Sequence, residues 1–208
     1  MNQPKLTFQK VFGHWRTVRT HRKWVRKYCT LAGIRWRGIK HDLSKYSPTE
    51  FIESARYWTG TTSPIKECKE DNGWSRAWLH HKGRNPHHYE YWMDNFDKGG
   101  EPILMPQEDF TEQVCDFLGA ARVYNGDNFT FANEYLWWLV KRDKCKMHPA
   151  NKAMLTRIFD FFNEIEDEAK STETADAAVN ALIKKGYIQE VYNDEAAKAF
   201  VLSAVEKE

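Results

Sequence analysis

Three observations predict an all-α fold. Apolar residues recur at steps of three and four through most of the chain, which places them on single helix faces. Helix starts and stops punctuate that pattern: Ser47-Pro48-Thr49-Glu50 opens one segment, and Gly33 and Gly83 close others. No alternating strand-and-hairpin pattern, internal repeat, phosphate-cradling glycine loop or Gly-x-Ser-x-Gly elbow interrupts it.

The 208 residues suit one domain of about 150 residues with an appendage. We place a helical domain over 1–169 and a C-terminal helical appendage over 170–208, with helices Ala175 to Lys185 and Glu195 to Val205. A composition 41% hydrophobic and 29% charged, with nine Trp and twelve Phe, argues for an aromatic-rich core and against disorder. The net charge of +2 conceals a basic stretch over 1–45 and an acidic one from Asp160 to Glu173. The basic part suits nucleic acid or a phosphorylated small molecule, and equally a solvated helix face. No apolar run approaches the roughly 18–20 residues of a membrane span. The Met-Asn-Gln-Pro-Lys start has no signal-peptide core. Cys29, Cys68, Cys115 and Cys145 lie far apart without a Cys-x-x-Cys pair, so we expect reduced thiols and a cytoplasmic protein.

Residues 7–32 read as one helix whose face carries His14, Val18, His21, Val25 and Cys29, with Arg and Lys on much of the remainder. A short basic link, Arg35 to Lys40, leads to His41-Asp42. Ser47 then caps a helix with Pro48 at its first position, and Glu50 is expected to close a capping box on the Ser47 amide. Residues 60–73 read as a loop, and Trp74 to Lys82 as a short helix with Trp74, Trp78 and His81 on one face. Asn85-Pro86 restarts a helix carrying His87, His88, Glu90, Tyr91, Trp92 and Asp94. Gln107 to Tyr124 is strongly amphipathic through Phe110, Val114, Phe117, Leu118 and Ala121. Asn125-Gly126-Asp127 makes a turn, and further helices span Phe131 to Lys146 and Asn151 to Ala169.

Several of these residues carry chemistry. Imidazole and carboxylate side by side in His41-Asp42 can share a divalent metal, and Lys45 can reach an anionic oxygen bound there. They sit just before a helix N-terminus, where phosphate is electrostatically favoured. Four of the eight histidines, His80, His81, His87 and His88, fall within nine residues, and imidazole is the commonest ligand for Zn, Fe, Ni or Mn. Asp116 borders the apolar stripe of its helix with Glu112 one turn before. Such a carboxylate needs a partner, either a metal or Arg122 or a Lys of the first helix.

The order His21, His41-Asp42, a His cluster and Asp116 resembles the HD-domain superfamily of metal-dependent phosphohydrolases. There a His, a His-Asp pair and a distant Asp meet in a helical bundle, and two-metal members add His ligands. His41-Asp-Leu-Ser-Lys45 is similar to the His-Asp-x-Gly-Lys wording common there, with Ser44 in place of Gly. More narrowly, residues from about 14 to 150 resemble a helical family of bacteria and phages of unknown function. Its marks are His-Asp-Leu-Ser-Lys, His-His-x-x-Asn-x-His-His and Glu-x-x-x-Asp; this chain has one extra residue before Asn85.

The resemblance implies an HD-like bundle and one or two divalent ions (Mn, Fe, Ni, Zn or Mg) held by His21, His41, Asp42 and Asp116, with His81 and His88 for the second. It implies catalytic roles for Asp42, Lys45 and Glu112, with Lys45, Arg84, Trp78 and Tyr91 contacting a nucleotide or related phosphate ester. Two alternatives stand beside it: a diiron oxygenase on the same geometry, and a non-enzymatic phage or bacterial protein that binds nucleic acid or a host partner. Nucleic acid would then meet the basic N-terminal helix.

Overall fold

A computed structural model describes residues 3–169; the predicted appendage over 170–208 lies outside them. Helix α1 (Phe8–Leu31) is the spine. The Thr7 side chain accepts from the Lys10 amide at 3.3 Å to cap its start. Its buried face holds His14, Val18, His21, Val25 and Cys29, the stripe expected from the sequence, together with Tyr28. Helices α2 (Arg35–Lys40), α3 (Pro48–Arg56) and α6 (Gln107–Asn125) pack against it. Helix α4 (Pro64–Asn72) and α5 (Arg76–Lys82) pack on α3, and α7 (Phe131–Lys141) pairs with α8 (Pro149–Ala169).

The all-α reading holds, with a minimal two-stranded hairpin, β1 (Met93–Asp94) against β2 (Glu101–Pro102). The core joins Val25 and Tyr28 of α1 to Phe110, Val114 and Leu118 of α6 and to Trp138, Leu155, Ile158 and Phe159 beyond. Close approach of α1 and α6 depends on Gly119. A Cβ there would lie 2.5 Å from Val25 Cγ2 and 3.3 Å from the Val25 amide nitrogen.

Several expectations are corrected. The basic link over Arg35–Lys40 is a helix, seated where a Cβ on Gly38 would come within 2.6 Å of Cys29 Cβ. The loop expected at 60–73 contains α4, which buries only Pro64 and Cys68, too thin a stripe for periodicity to reveal. Ser75 caps α5, so Trp74 stands before the helix and is exposed. Helix α7 stops at Lys141 and passes into a 3-10 turn over Arg142–Lys144.

The largest departure is at Asn85-Pro86, where no helix restarts. The Asn85 side chain donates to the His81 carbonyl (2.7 Å) and to Ser44 Oγ (2.9 Å) instead of capping a new helix. The chain then makes a 3-10 turn over Tyr89–Tyr91 and enters β1. Glu50 also differs: Ser47 Oγ accepts from its amide, but the Ser47 amide is bonded to the Ser44 carbonyl, and the Glu50 carboxylate points elsewhere.

Candidate metal centre

Four helices and two turns converge on Asp42. Helix α2 ends at Lys40 with His41 as its C-cap, and Asp42 adopts the left-handed conformation at φ 55°, sparsely populated for a residue with a side chain. That turn carries the carboxylate inward, where Asp42 is 1% exposed. Arg22 of α1 secures the corner, donating to the backbone carbonyls of His41 and Ile39 at 2.8 Å each.

Each Asp42 oxygen faces its own set of donors. Oδ2 lies 3.2 Å from Nε2 of both His21 and His41. Asp116 Oδ1 closes that set, 2.9 Å from His21 Nε2 and 3.3 Å from His41 Nε2. Oδ1 lies 3.3 Å from His81 Nε2 and 3.4 Å from His87 Nε2, and His88 completes this second set. A third group, His41, His87 and Glu112, lies beside them. Every set is close enough to hold a metal ion.

The donor chemistry fits a divalent cation. Among the described residues, the Nε2 atoms of His81, His87 and His88 and both Asp42 oxygens are buried without an aligned hydrogen bond. Burying so many unsatisfied polar atoms is costly, and one cation between them satisfies several at once. Lys45 Nζ, 2.6 Å from Asp42 Oδ2, supplies a charge at the edge of the set.

Carboxylates behind the imidazoles orient them, as is usual for metal-binding histidines. Glu112 Oε1 accepts from His41 Nδ1 (2.8 Å) and lies 3.1 Å from His87 Nδ1. Its other oxygen accepts from Arg37 Nε at 2.8 Å, and Arg37 also pairs with Asp109 and Glu108. Glu50 does the same work on the other side, 2.7 Å from His81 Nδ1 and 2.6 Å from His80 Nδ1. With Nδ1 of His41 and of His81 engaged by a carboxylate, Nε2 is in each case the nitrogen turned toward Asp42.

Charges accord with this geometry. Burial works against the Asp42 charge, yet His41, Lys45 and His81 hold its carboxyl well below the usual range. Asp116 behaves alike, burial being outweighed by hydrogen bonds from His21 and His41. Burial and the neighbouring His87 and His81 push His88 well below an ordinary imidazole.

The structure thus brings His21, His41, Asp42, His81, His88, Asp116, Glu112 and Lys45 together. Asp116 pairs with histidines rather than with Arg122, which donates to the Tyr28 hydroxyl at 3.1 Å. A cavity of about 850 Å³ opens from the centre, lined by His21, Lys45, Trp78, His81, His88 and Asp116 among others. Arg84 is exposed, Tyr91 is 43% exposed, and neither is among its lining residues.

His87 was not among the expected ligands. On a helix, neighbours 87 and 88 would point about 100° apart and only one would face the site. In the turn that forms instead, their ring centroids are 4.3 Å apart and both enter the second set. Arg37 and Glu50 were likewise not expected behind the ligands. The clustering of four histidines in nine residues was the available signal for His87; Arg37 carried none.

The profile of a family of unknown function (DUF5662) matches residues 10–161, which include every residue of the three donor sets. No curated protein and no solved structure matches the chain.

Proposed function

The chain belongs to the DUF5662 family, whose function is unknown, and we propose that it is a metal-dependent phosphohydrolase acting on a nucleotide or related phosphate ester. The observation that carries this reading is the division of Asp42, whose Oδ2 serves His21 and His41 while Oδ1 serves His81 and His87. A carboxylate so placed suits a pair of divalent ions, with His21, His41, Asp42 and Asp116 on one side and Asp42, His81, His87 and His88 on the other. The order of donors along the chain, as in HD-domain phosphohydrolases, supports the same reading. An imidazole-rich set favours Mn, Fe, Ni or Zn over Mg. Ions held there supply Lewis acidity toward phosphate oxygens and make water a competent nucleophile near neutral pH.

The protein's own groups then have defined tasks. Glu112 keeps the proton on Nδ1 of His41, and Glu50 keeps it on Nδ1 of His81, so that both imidazoles present a lone pair. Burial opposes the Lys45 charge, but Asp42 and Asp116 raise its pKa above the usual lysine value, so it remains a cation at the cavity edge. It is placed to hold an anionic oxygen of the ester. Trp78, whose ring Lys69 Nζ caps at 4.8 Å, offers an apolar wall with a second positive charge for the remainder of the substrate. The cavity volume of about 850 Å³ accommodates a mononucleotide.

The test is elemental analysis of protein purified without added metal, and then a hydrolysis screen of nucleotides and phosphodiesters with the bound metal. We expect about one or two equivalents of Mn, Fe, Ni or Zn, as the two donor sets allow, and phosphate or nucleoside release that falls in Lys45→Met. Protein that is metal-free and takes up no added Mn or Ni would rule this reading out.

A further inference from the structure

The charge of this chain is segregated. Residues 1–41 hold eleven Lys and Arg and no Asp or Glu, leaving 20 basic against 29 acidic residues in the remainder. Most of that positive charge belongs to α1, and the helix sorts it by face. At about 100° per residue, His14, Thr17, Val18 and His21, which line the central cavity, share one side. Trp15, Arg16, Arg19, Lys23 and Arg26 fall on the opposite side and, with Gly38 and Ile39 of α2, line a separate groove of about 790 Å³. Among the described residues, no acidic side chain lines it.

Aromatic rings continue the groove toward the start of α1. Phe8 stacks on Phe12 with centroids 6.3 Å apart, Phe12 meets Trp15 at 5.7 Å, and the Arg19 guanidinium lies 5.3 Å over the Trp15 ring. These rings are open to water: Phe8 is 85% exposed, Phe12 52% and Trp15 37%. An exposed ladder of rings has no folding role that would repay its hydration and marks a contact surface. Cations alone suit any anionic partner, but cations beside a file of open ring faces suit a polymer with both phosphates and accessible bases. A duplex offers the phosphates and hides the base faces.

We propose that this face of α1 is a binding groove for single-stranded nucleic acid, with bases stacking along Phe8, Phe12 and Trp15 and phosphates paired to Arg16, Arg19, Lys23 and Arg26. Arg22 is excluded from the role, because it is occupied by the backbone carbonyls of Ile39 and His41. The groove is independent of the metal centre, being on the other side of the helix, and serves the protein whether or not the strand is also cut.

Fluorescence anisotropy of the full chain with a labelled single strand of about 12 nucleotides, in EDTA, tests this without involving the metal. Arg16→Glu with Lys23→Glu is expected to raise the Kd at least about tenfold at roughly 50 mM salt and to make the salt slope shallower by about 1.4. Trp15→Ala is expected to raise it about fivefold or more. Lys98→Glu with Lys144→Glu, exposed positions elsewhere with the same charge change, should leave the Kd unaltered. The proposal is overturned by no saturable binding of the wild type, by equal loss in the Lys98/Lys144 pair, by equal affinity for a duplex, or by binding to phosphatidylserine vesicles alone.

Discussion

His41 and Glu112 are joined through the imidazole nitrogen that faces away from Asp42: Nδ1 lies 2.8 Å from Glu112 Oε1, across 71 residues of sequence. Burial would strip charge from both. Glu112 is nevertheless held well below the usual carboxylate range, its burial outweighed by hydrogen bonds from His41 and His87. Arg37 anchors the other oxygen. The pair therefore decides which His41 nitrogen is free to take a metal.

Glu112→Gln removes that control while preserving size. An amide can offer His41 and His87 an N–H where they need an acceptor, and it removes one of the three carboxylates paired with Arg37. Metal affinity should fall about 10–100-fold, as is usual when such supporting groups are lost. Competition with a chelating dye measures it, and an unchanged affinity would show that Glu112 serves only Arg37.

Asp42→Asn tests the shared carboxylate. Asparagine tolerates the left-handed backbone at φ 55°, so the turn should survive with the charge gone and one carboxylate oxygen replaced by an amide nitrogen. Elemental analysis should show metal lost from both sets, whereas Asp116→Asn should weaken chiefly the set with His21 and His41. Selective loss from one set in Asp42→Asn would refute a shared role.

Gly119→Ala would push a methyl to within 2.5 Å of Val25 Cγ2 and 3.3 Å of the Val25 nitrogen. The helices must part by some tenths of an ångström, one turn from where Asp116 meets His21 at 2.9 Å. We expect a stability loss of about 1–3 kcal/mol together with weaker metal binding. Thermal unfolding and dye competition on the same sample check both. Normal values in each would mean that the two helices yield without consequence.

Two buried groups predict pH-dependent stability of opposite sign. His14 has no hydrogen-bond partner on either ring nitrogen among the described residues; burial, and then the Lys45 charge, lower its pKa to about 4. The unfolded chain binds this proton from about pH 6.5 downward, so the contribution is complete above that and lost toward pH 4, by at most about 3 kcal/mol. Burial raises Glu134 to about 8. The folded chain keeps its proton after the unfolded chain has released it, so that stability is complete below about pH 4.5 and lost as pH rises to 8. In urea unfolding series with EDTA, His14→Leu should remove the loss of stability toward pH 4 and Glu134→Gln the loss on going from about pH 4.5 to 8. Limbs unchanged in these variants would assign the pH dependence to other groups.

The helical class, the buried stripe of α1 and the donor types are legible in the sequence, because each is a local property. His14, Val18, His21, Val25 and Cys29 share a face through helix geometry alone, and the His41-Asp42 pair announces its chemistry without any fold. Where local signals misled, as at Asn85-Pro86, other partners had claimed the capping side chain: Asn85 is spent on the His81 carbonyl four residues back and, across the fold, on Ser44. Tertiary structure alone decided which imidazoles meet. It set His87 beside His88, gave the two oxygens of Asp42 separate sets of imidazoles, and placed Arg37 and Glu50 behind the ligands. The physical reason is that periodicity reports which residues share a face over one or two turns. Which faces then meet depends on helix packing, here on the missing side chain of Gly119 and the left-handed turn at Asp42.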